Sequence, residues 1–237
     1  MHFTIVIPTF QRIKKLQRCI NSIFTNTHKD FDVYVIADNN DIKTKEVLDN
    51  YYKENTNVHT IVNPNHSYVM GCWNLFTKDY YDKIKDYMVW IVDDTEMLPD
   101  CLKNLNECCT TRFPDKDGMV GISQVYPLHT EAKWKENGQC AIGKNFILKF
   151  PDRQVCCVDY VHFYQDEEVL EYAKSINKFV LCRNAELIHH HPAFYSNEMD
   201  ETHKIPRGET HDRDRATYLK RKHKDLIWGK SWELVNE

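Results

Sequence analysis

Glycine is scarce in this chain, with 7 in 237 residues, where a typical protein carries roughly 7%. Most turns must therefore be made by Asn, Asp and Pro. Neither GxGxxG nor GxxxxGK followed by Ser or Thr occurs, which excludes functions built on a Gly-rich phosphate loop. Long hydrophobic runs are also missing, and none approaches the ~18 residues of a membrane span. Met1-His2 leads directly into Phe3–Ile7, without a basic n-region, a long apolar h-region or a small-residue cleavage site. The expectation is a soluble, cytoplasmic protein. CxxC spacing is absent as well. The nine cysteines include the adjacent pairs Cys108-Cys109 and Cys156-Cys157, neither of which has zinc-site spacing. Buried free thiols in a reducing compartment are expected.

What is present is ordinary globular material, 42% hydrophobic and 28% charged, which excludes disorder and collagen-like structure. The length allows one large domain or two small ones. Net charge is −4 but unevenly spread. Residues 203–230 hold nine Lys/Arg and four Asp/Glu, a local +5, so the remainder carries −9. A basic, His-rich tail on an acidic body points to a tail that meets phosphate; a solvated helix is the plainer alternative.

Hydrophobic periodicity orders the first half. Phe3–Pro8 reads as a buried strand, and Arg12–Phe24 as a helix with Ile13, Leu16, Ile20 and Ile23 near 3.6-residue spacing. Asp32–Ala37 is a second strand, Asp41–Lys53 a helix, Val58–Val62 a third strand and Tyr68–Tyr81 a helix. Tyr87–Val92 is a fourth strand, apolar throughout as a strand buried on both faces should be. Pro99 opens a helix running to about Cys109, and Met119–Ser123 is a fifth strand. Repeated strand–helix alternation predicts a mostly parallel α/β sheet flanked by helices, with Phe3–Ile7 and Tyr87–Val92 central. Residues 125–165 read as irregular, with strands near Cys140–Phe150. Asp166–Asn177 is a helix opened by acids. Phe179–Arg183 and Ala185–Ile188 are short strands, and a basic helix spans Asp212 to Lys224.

Ligands of open parallel sheets bind at the carboxyl ends of the strands. After the first strand come Pro8-Thr9-Phe10-Gln11-Arg12. After the second come Asp38-Asn39-Asn40-Asp41, and after the fourth Asp93-Asp94-Thr95-Glu96. Adjacent acids at the end of a buried strand repel one another in a low-dielectric setting. Hard oxygen donors of this kind favour Mg²⁺ or Mn²⁺, commonly shared with phosphates, so a nucleoside diphosphate is implied. Capping of the helix near Pro99 is the alternative for Asp93 and Asp94, although Asp100 and Asn104 lie nearer to it.

These residues resemble the GT-A glycosyltransferases of family 2. The resemblance rests on Ile5-Val6-Ile7-Pro8-Thr9-Phe10, on Asp32–Asp38 (DVYVIAD), on Val89–Leu102 (VWIVDDTEMLPDCL) and on Asp166–His189, in that order. It covers roughly residues 3–191. The implied fold is a GT-A fold: a Rossmann-like sheet flanked by helices, a smaller acceptor-side mixed sheet, and a C-terminal lid and helix. Residues 1–124 would form the nucleotide-sugar half, 125–195 the acceptor half, and 196–237 the lid and basic helix.

The implied activity is metal-dependent transfer of a sugar from a nucleoside diphosphate sugar, UDP-sugars favoured, to an acceptor hydroxyl on a glycan, a small molecule or modified DNA. Pro8, Thr9 and Arg12 would line the base and ribose pocket, with Asp38 on the base and Asp93 near the ribose. Asn74 stands where the family often contacts the nucleotide. Asp94, with His189, would hold Mn²⁺ or Mg²⁺. An inverting reaction needs a carboxylate base, and Asp166 or Glu167 takes that position, with Asp159 a third candidate. The acid cluster departs from the family in reading Asp-Asp-Thr rather than Asp-x-Asp. Three consecutive His cannot point one way, so at most His189 and His191 share a face. The polar stretch 196–212 is expected to be a lid over bound donor, with Lys204, Arg207 and His211 approaching phosphate. With no backbone amide cradle, the diphosphate depends on metal and cationic side chains.

Three other readings remain open on the sequence. The +5 tail, with Tyr218 and Trp228 interleaved, suits a polyanion, as in a phage-type transferase that glycosylates a flipped, hydroxylated DNA base. A nucleotidyltransferase would share the sheet and acids but usually carries a Gly-rich loop after the first strand. A non-catalytic nucleotide-sugar binder would bind donor without turnover.

Overall fold

The computed structural model describes residues 1–126, 138–195, 198–200, 202–204 and 210–229. Eight strands form one sheet: β1 (Phe3–Thr9), β2 (Phe31–Ala37), β3 (Val58–Val62), β4 (Tyr87–Trp90), β5 (Thr95–Met97), β6 (Met119–Val125), β7 (Cys140–Gly143) and β8 (Phe179–His189). Their order is β3-β2-β1-β4-β7-β6-β8-β5. The first four run parallel, β7 is antiparallel to both its neighbours, β6 and β8 are parallel, and β5 returns antiparallel to β8. The acceptor-side strands therefore continue the main sheet and do not form a second one. The sequence places β1 and β4 centrally, and they sit side by side with a paired strand on each outer flank.

Period-two alternation assigns the two faces of the sheet. Phe3, Ile5 and Ile7 of β1, with Val33, Val35, Tyr87 and Val89, pack on α1 (Ile13–Phe24) and α4 (Cys101–Arg112). The opposite face, with Val6, Ile36, Met88 and Trp90, packs on α3 (Tyr68–Asp79) and α6 (Gln165–Ser175). In α1 the residues turned inward are Leu16, Cys19, Ile20 and Ile23, which is the stripe an amphipathic helix presents to a core. The small helix α2 (Ile42–Tyr51) is capped by Asp41, whose side chain accepts from the Thr44 amide at 3.1 Å. The region expected to hold strands near 140–150 is β7 followed at once by the helical turn α5 (Lys144–Ile147). Eight of the nine free cysteines are buried and Cys108 is half-buried.

Two short strands expected at 179–188 are one strand, β8. Its pairing with β6 slips between Ile122 and Ser123, from partner Cys182 to partner Glu186. Arg183 and Asn184 bulge out exposed at that point. A bulge re-aims the residues beyond it, and β8 then runs on to His189. The C-terminal helix α7 (His211–His223) packs on α6 through a buried ion pair. Arg221 donates from Nε to both Glu168 oxygens at 3.2 and 3.1 Å, from Nη2 to Oε1 at 2.8 Å, and from Nη1 to Asp159 at 2.5 Å. No helix among the described residues is long and apolar enough to cross a membrane.

Candidate active site

The loops after β1 and β4 meet on the carboxyl edge of the sheet, because β1 pairs with β4 from Phe3↔Tyr87 to Val6↔Trp90. That register carries Thr9 to Asp93, and the Thr9 hydroxyl donates to Asp93 Oδ2 at 2.7 Å. Asp93 and Asp94 are each 2% exposed. They do not cap α4, whose N-cap is Asp100. Arg12, at the entry to α1, bridges the pair, with Nη1 to Asp93 Oδ1 at 2.6 Å and Nη2 to Asp94 Oδ2 at 3.0 Å. Burial opposes the Arg12 charge, but Asp93, Asp94 and Asp200 outweigh it and raise its pKa.

The two acids differ electrostatically. Burial pushes Asp93 up to about 6, and the neighbouring Asp94 charge adds to that push, against the pull of Arg12. Asp94 is held well below the carboxylate range: burial would raise it, but His189, His203 and Arg12 together prevail. The low-pKa member is the one aimed at His189.

His189 ends β8 and is delivered by the antiparallel pairing of β5 with β8, Thr95↔His189. Its Nδ1 lies 2.8 Å from Gln124 Oε1. An amide oxygen only accepts, so Nδ1 carries a hydrogen, and the ring leaves its Nε2 on the side of Asp94. Asp94 Oδ1 is 3.2 Å from that nitrogen, yet it is buried with no hydrogen-bond partner among the described residues. An orphaned carboxylate oxygen facing an imidazole nitrogen fits a divalent cation, which the ring would ligate in its neutral form. Two ligands at right angles about an ion at ~2.1 Å lie ~3 Å apart. Among the described residues no group of three or more His, Cys, Asp or Glu converges on one cation point. Further ligands would have to come from water or phosphate, as is usual for Mg²⁺. His190 turns to Glu96 at 3.1 Å, while the His189 and His191 rings lie 5.3 Å apart, so the alternation expected of three consecutive His is found.

Part of the expected lid is docked over this site. Glu198 accepts from Arg18 at 2.9 Å, and Asp200 takes Lys15 Nζ at 2.7 Å and Arg12 Nε at 3.1 Å. His203 bridges Asp200 Oδ1 at 2.7 Å and Asp94 Oδ2 at 3.1 Å. Burial would raise Asp200, but Lys15, Thr202, Arg12 and His203 bring it well below the carboxylate range. Asp200 and His203 were not singled out from the sequence. The available signal was an acid three residues before a His within a polar stretch, which on its own is too common to read. Lys204 is exposed beside them, and Arg207 lies outside the described residues. His211 opens α7 and rests against Phe163 and Tyr164, with ring centroids 5.2 and 6.0 Å away.

Several expected nucleotide contacts are committed within the protein. Pro8 is buried within β1, opposite Ile36. Thr9 and Arg12 hold the acid pair. Asp38, 3% exposed, accepts from Asn63 at 2.8 Å, His66 at 2.8 Å, and the Ser67 and Tyr68 amides at 3.1 Å. It therefore builds the turn into α3, and only the half-exposed His66 ring is free to yield to a ligand. Asn74 spends its amide on the Cys156 backbone, donating to the oxygen at 2.7 Å and accepting from the nitrogen at 2.8 Å. Asp166 and Glu167 open α6, both half-buried. Asp166 Oδ2 and Gln124 Nε2 lie 3.7 and 3.6 Å from the point that a Cβ on Gly138 would occupy, and Gln124 is the partner of His189. Asp159 pairs with Arg221 instead. In the basic tail, Arg221 is buried against Glu168, and Lys222 pairs with Glu171 at 3.1 Å, so two of its cations face inward or are neutralised.

Residues 4–203 match the model of a family described as glycosyl transferase family 2. The chain is 28% identical over 102 residues to the GalNAc(5)-diNAcBac-PP-undecaprenol beta-1,3-glucosyltransferase of Campylobacter jejuni, covering 43% of this chain and 32% of that protein. Its structure is similar to that of GalNAc-T7 with UDP, GalNAc and Mn²⁺, at TM-score 0.63 and 13% identity over 80% of this chain and 44% of the other. It is similar also to the Pyrobaculum calidifontis mannosyltransferase PcManGT with GDP-Man and Mn²⁺, at TM-score 0.58 and 11% identity, over 79% of this chain and 56% of the other. The likeness extends to S. aureus TarS 1-349 with UDP-GlcNAc, at TM-score 0.57 and 13% identity, over 79% and 58%. The chain spans about a third of the curated relative and less than half of GalNAc-T7. At these identities the structural likeness establishes the fold, a GT-A sheet.

Proposed function

The chain belongs to glycosyl transferase family 2, and from that premise we propose that it moves a sugar from a nucleoside diphosphate sugar to an acceptor hydroxyl with inversion. The observation that carries the reading is the orphaned Asp94 Oδ1 facing His189 Nε2 at 3.2 Å. Asp94 and His189 would hold Mn²⁺ or Mg²⁺. When bound, the ion neutralises the diphosphate and stabilises the charge it gains on leaving. Asp94, kept ionised by its neighbours, is suited to hold a cation. Gln124 fixes the His189 ring, and Thr9 and Arg12 fix Asp93.

On the acceptor side, Asp166 is the favoured base over Glu167, because its carboxylate lies near Gln124, the partner of His189. Its carboxylate takes the proton of the acceptor hydroxyl as that oxygen bonds to the anomeric carbon. The bond from that carbon to the diphosphate oxygen breaks, and the nucleoside diphosphate leaves with the electron pair. UDP-sugars are the favoured donors: the N3–H of uracil can replace the His66 ring at Asp38. The segment containing Asp200 and His203 is the lid that opens to admit donor and closes over it.

The test is release of nucleoside diphosphate from a panel of UDP-, GDP- and dTDP-sugars, with and without Mn²⁺. Asp94→Ala should abolish both the Mn²⁺ dependence and at least 100-fold of the turnover, given what metal stabilisation of a leaving group contributes. Unchanged turnover in Asp94→Ala refutes the metal assignment. Release of pyrophosphate instead would identify a nucleotidyltransferase.

A further inference from the structure

Away from the acid pair, a pocket of about 340 Å³ opens between α3 and the segment 154–165. That volume is in the range of small-ligand sites. Its polar lining falls into two groups. Asn63 and Asn74 face it but are committed, Asn63 to Asp38 and Ser67 and Asn74 to Cys156. Gln165, Gln154 and Asn65 also line it, and their side-chain amides make no hydrogen bond with the described protein. Gln165 is the telling member. It is only 3% exposed, and a buried amide without a partner costs free energy. Its polar atoms are not sealed away with the orphaned buried groups of the protein, so the pocket is where they reach.

The chemistry of the lining selects the occupant. Three free primary amides offer donors and acceptors together, which suits hydroxyl groups that both give and receive hydrogen bonds. Lys78 and Asp79 at the rim cancel in charge, so the pocket does not favour an anion. Leu75 and the 55% exposed Val158 supply an apolar side for the C–H face of a ring. We infer that this pocket is a subsite for a neutral sugar unit. Resting on the glycosyl-transfer reading, it makes the acceptor a saccharide. Gln165 directly precedes Asp166 on the first turn of α6, where successive side chains point about 100° apart. The pocket thus holds a sugar next to the reacting unit, and Gln165 recognises the acceptor without taking part in proton transfer.

Saturation-transfer NMR with methyl β-D-glucoside, methyl α-D-mannoside and methyl N-acetyl-β-D-glucosaminide tests this directly. UDP–Mn²⁺ affinity is measured in parallel by calorimetry. At least one methyl glycoside should bind the wild-type protein. Gln165→Met, close in volume, should weaken it at least tenfold while UDP–Mn²⁺ affinity is kept. Asn65→Ala, at an exposed position that does not threaten folding, should weaken it at least threefold. The inference is overturned if no glycoside binds, if both variants bind as wild type does, or if uridine displaces the sugar. Failure of UDP–Mn²⁺ binding with glycoside binding intact would instead count against the donor chemistry.

Discussion

Replacing Arg221 with Met tests what fastens the C-terminal helix to the body. Glu168 is buried, with its side chain 3% exposed, and Arg221 is 10% exposed. Three of the four Arg221 hydrogen bonds go to Glu168, which also accepts from the Trp228 amide at 2.7 Å. Met keeps the apolar stem of the side chain but removes the guanidinium, leaving Glu168 with the Trp228 amide as its one donor among the described residues. Breaking a buried pair from one side costs about 3–5 kcal/mol, because a charge stays behind. The bond to Asp159, which is 55% exposed, adds less than ~1 kcal/mol. Urea denaturation should therefore show Arg221→Met losing about 3–5 kcal/mol. Glu168→Met strands a charge in the same way, and the double variant strands neither. The double-mutant cycle should then return a coupling of at least ~2 kcal/mol. A loss below ~1 kcal/mol with no coupling would refute the reasoning, and α7 would be held by apolar contact alone.

Three further outcomes rest on the same geometry. Asp166→Asn should lower kcat by roughly 100-fold or more, as removal of a general base does, with Glu167→Gln within a few-fold; equal losses in steady-state kinetics would leave the base unassigned to either residue. Burial lowers His162 from 6.5 to about 4, so the folded state binds fewer protons than the unfolded. Stability is then complete above pH ~6.5 and falls by about 3 kcal/mol as pH drops through 4; His162→Phe should flatten that slope in urea titrations, and an unchanged slope would place the titration elsewhere. Glu198→Ala frees Arg18 from the docked segment and leaves Lys15 only Asp200 as an ion-pair partner there, and tryptic cleavage after Lys204 should quicken with little change in Tm, whereas an unchanged cleavage rate would mean that Asp200 and His203 suffice to hold the segment.

The readable parts of the sequence were those with a local physical signature. Apolar β1 and β4 announced a doubly buried sheet centre, and Asp93-Asp94 at the end of β4 announced a charged site because like charges rarely sit there unpaired. Asp38 and Asn74 were less transparent. Their residue types suit ligand contact and equally suit building a turn or gripping a backbone, and only the partners His66, Ser67 and Cys156 decide between those. Arg12 reads as a nucleotide contact, and in the fold three carboxylates surround it, all from the distant positions 93, 94 and 200. The break expected at Asn184 was a bulge within β8, since exposed residues interrupt hydrophobic alternation whether a strand stops or kinks. His203 had no local signature, because its role comes from chain folding back across the sheet.

The pairing of β5 with β8 carries a consequence for biosynthesis. Thr95 meets His189 at the outer edge of the sheet, so the candidate cation site combines an early part of the chain with a late one. A chain emerging from the ribosome N-terminus first can complete β1 to β4, and even the acid pair, well before His189 appears. Long-range pairings of this kind form slowly. Until β8 docks in register, Asp94 has no imidazole to meet, and a one-residue slip would turn His189 to the other face. At the proposed site, cation binding would thus mark completion of the sheet: a chain in which β8 has not yet paired holds Asp94 without its second ligand.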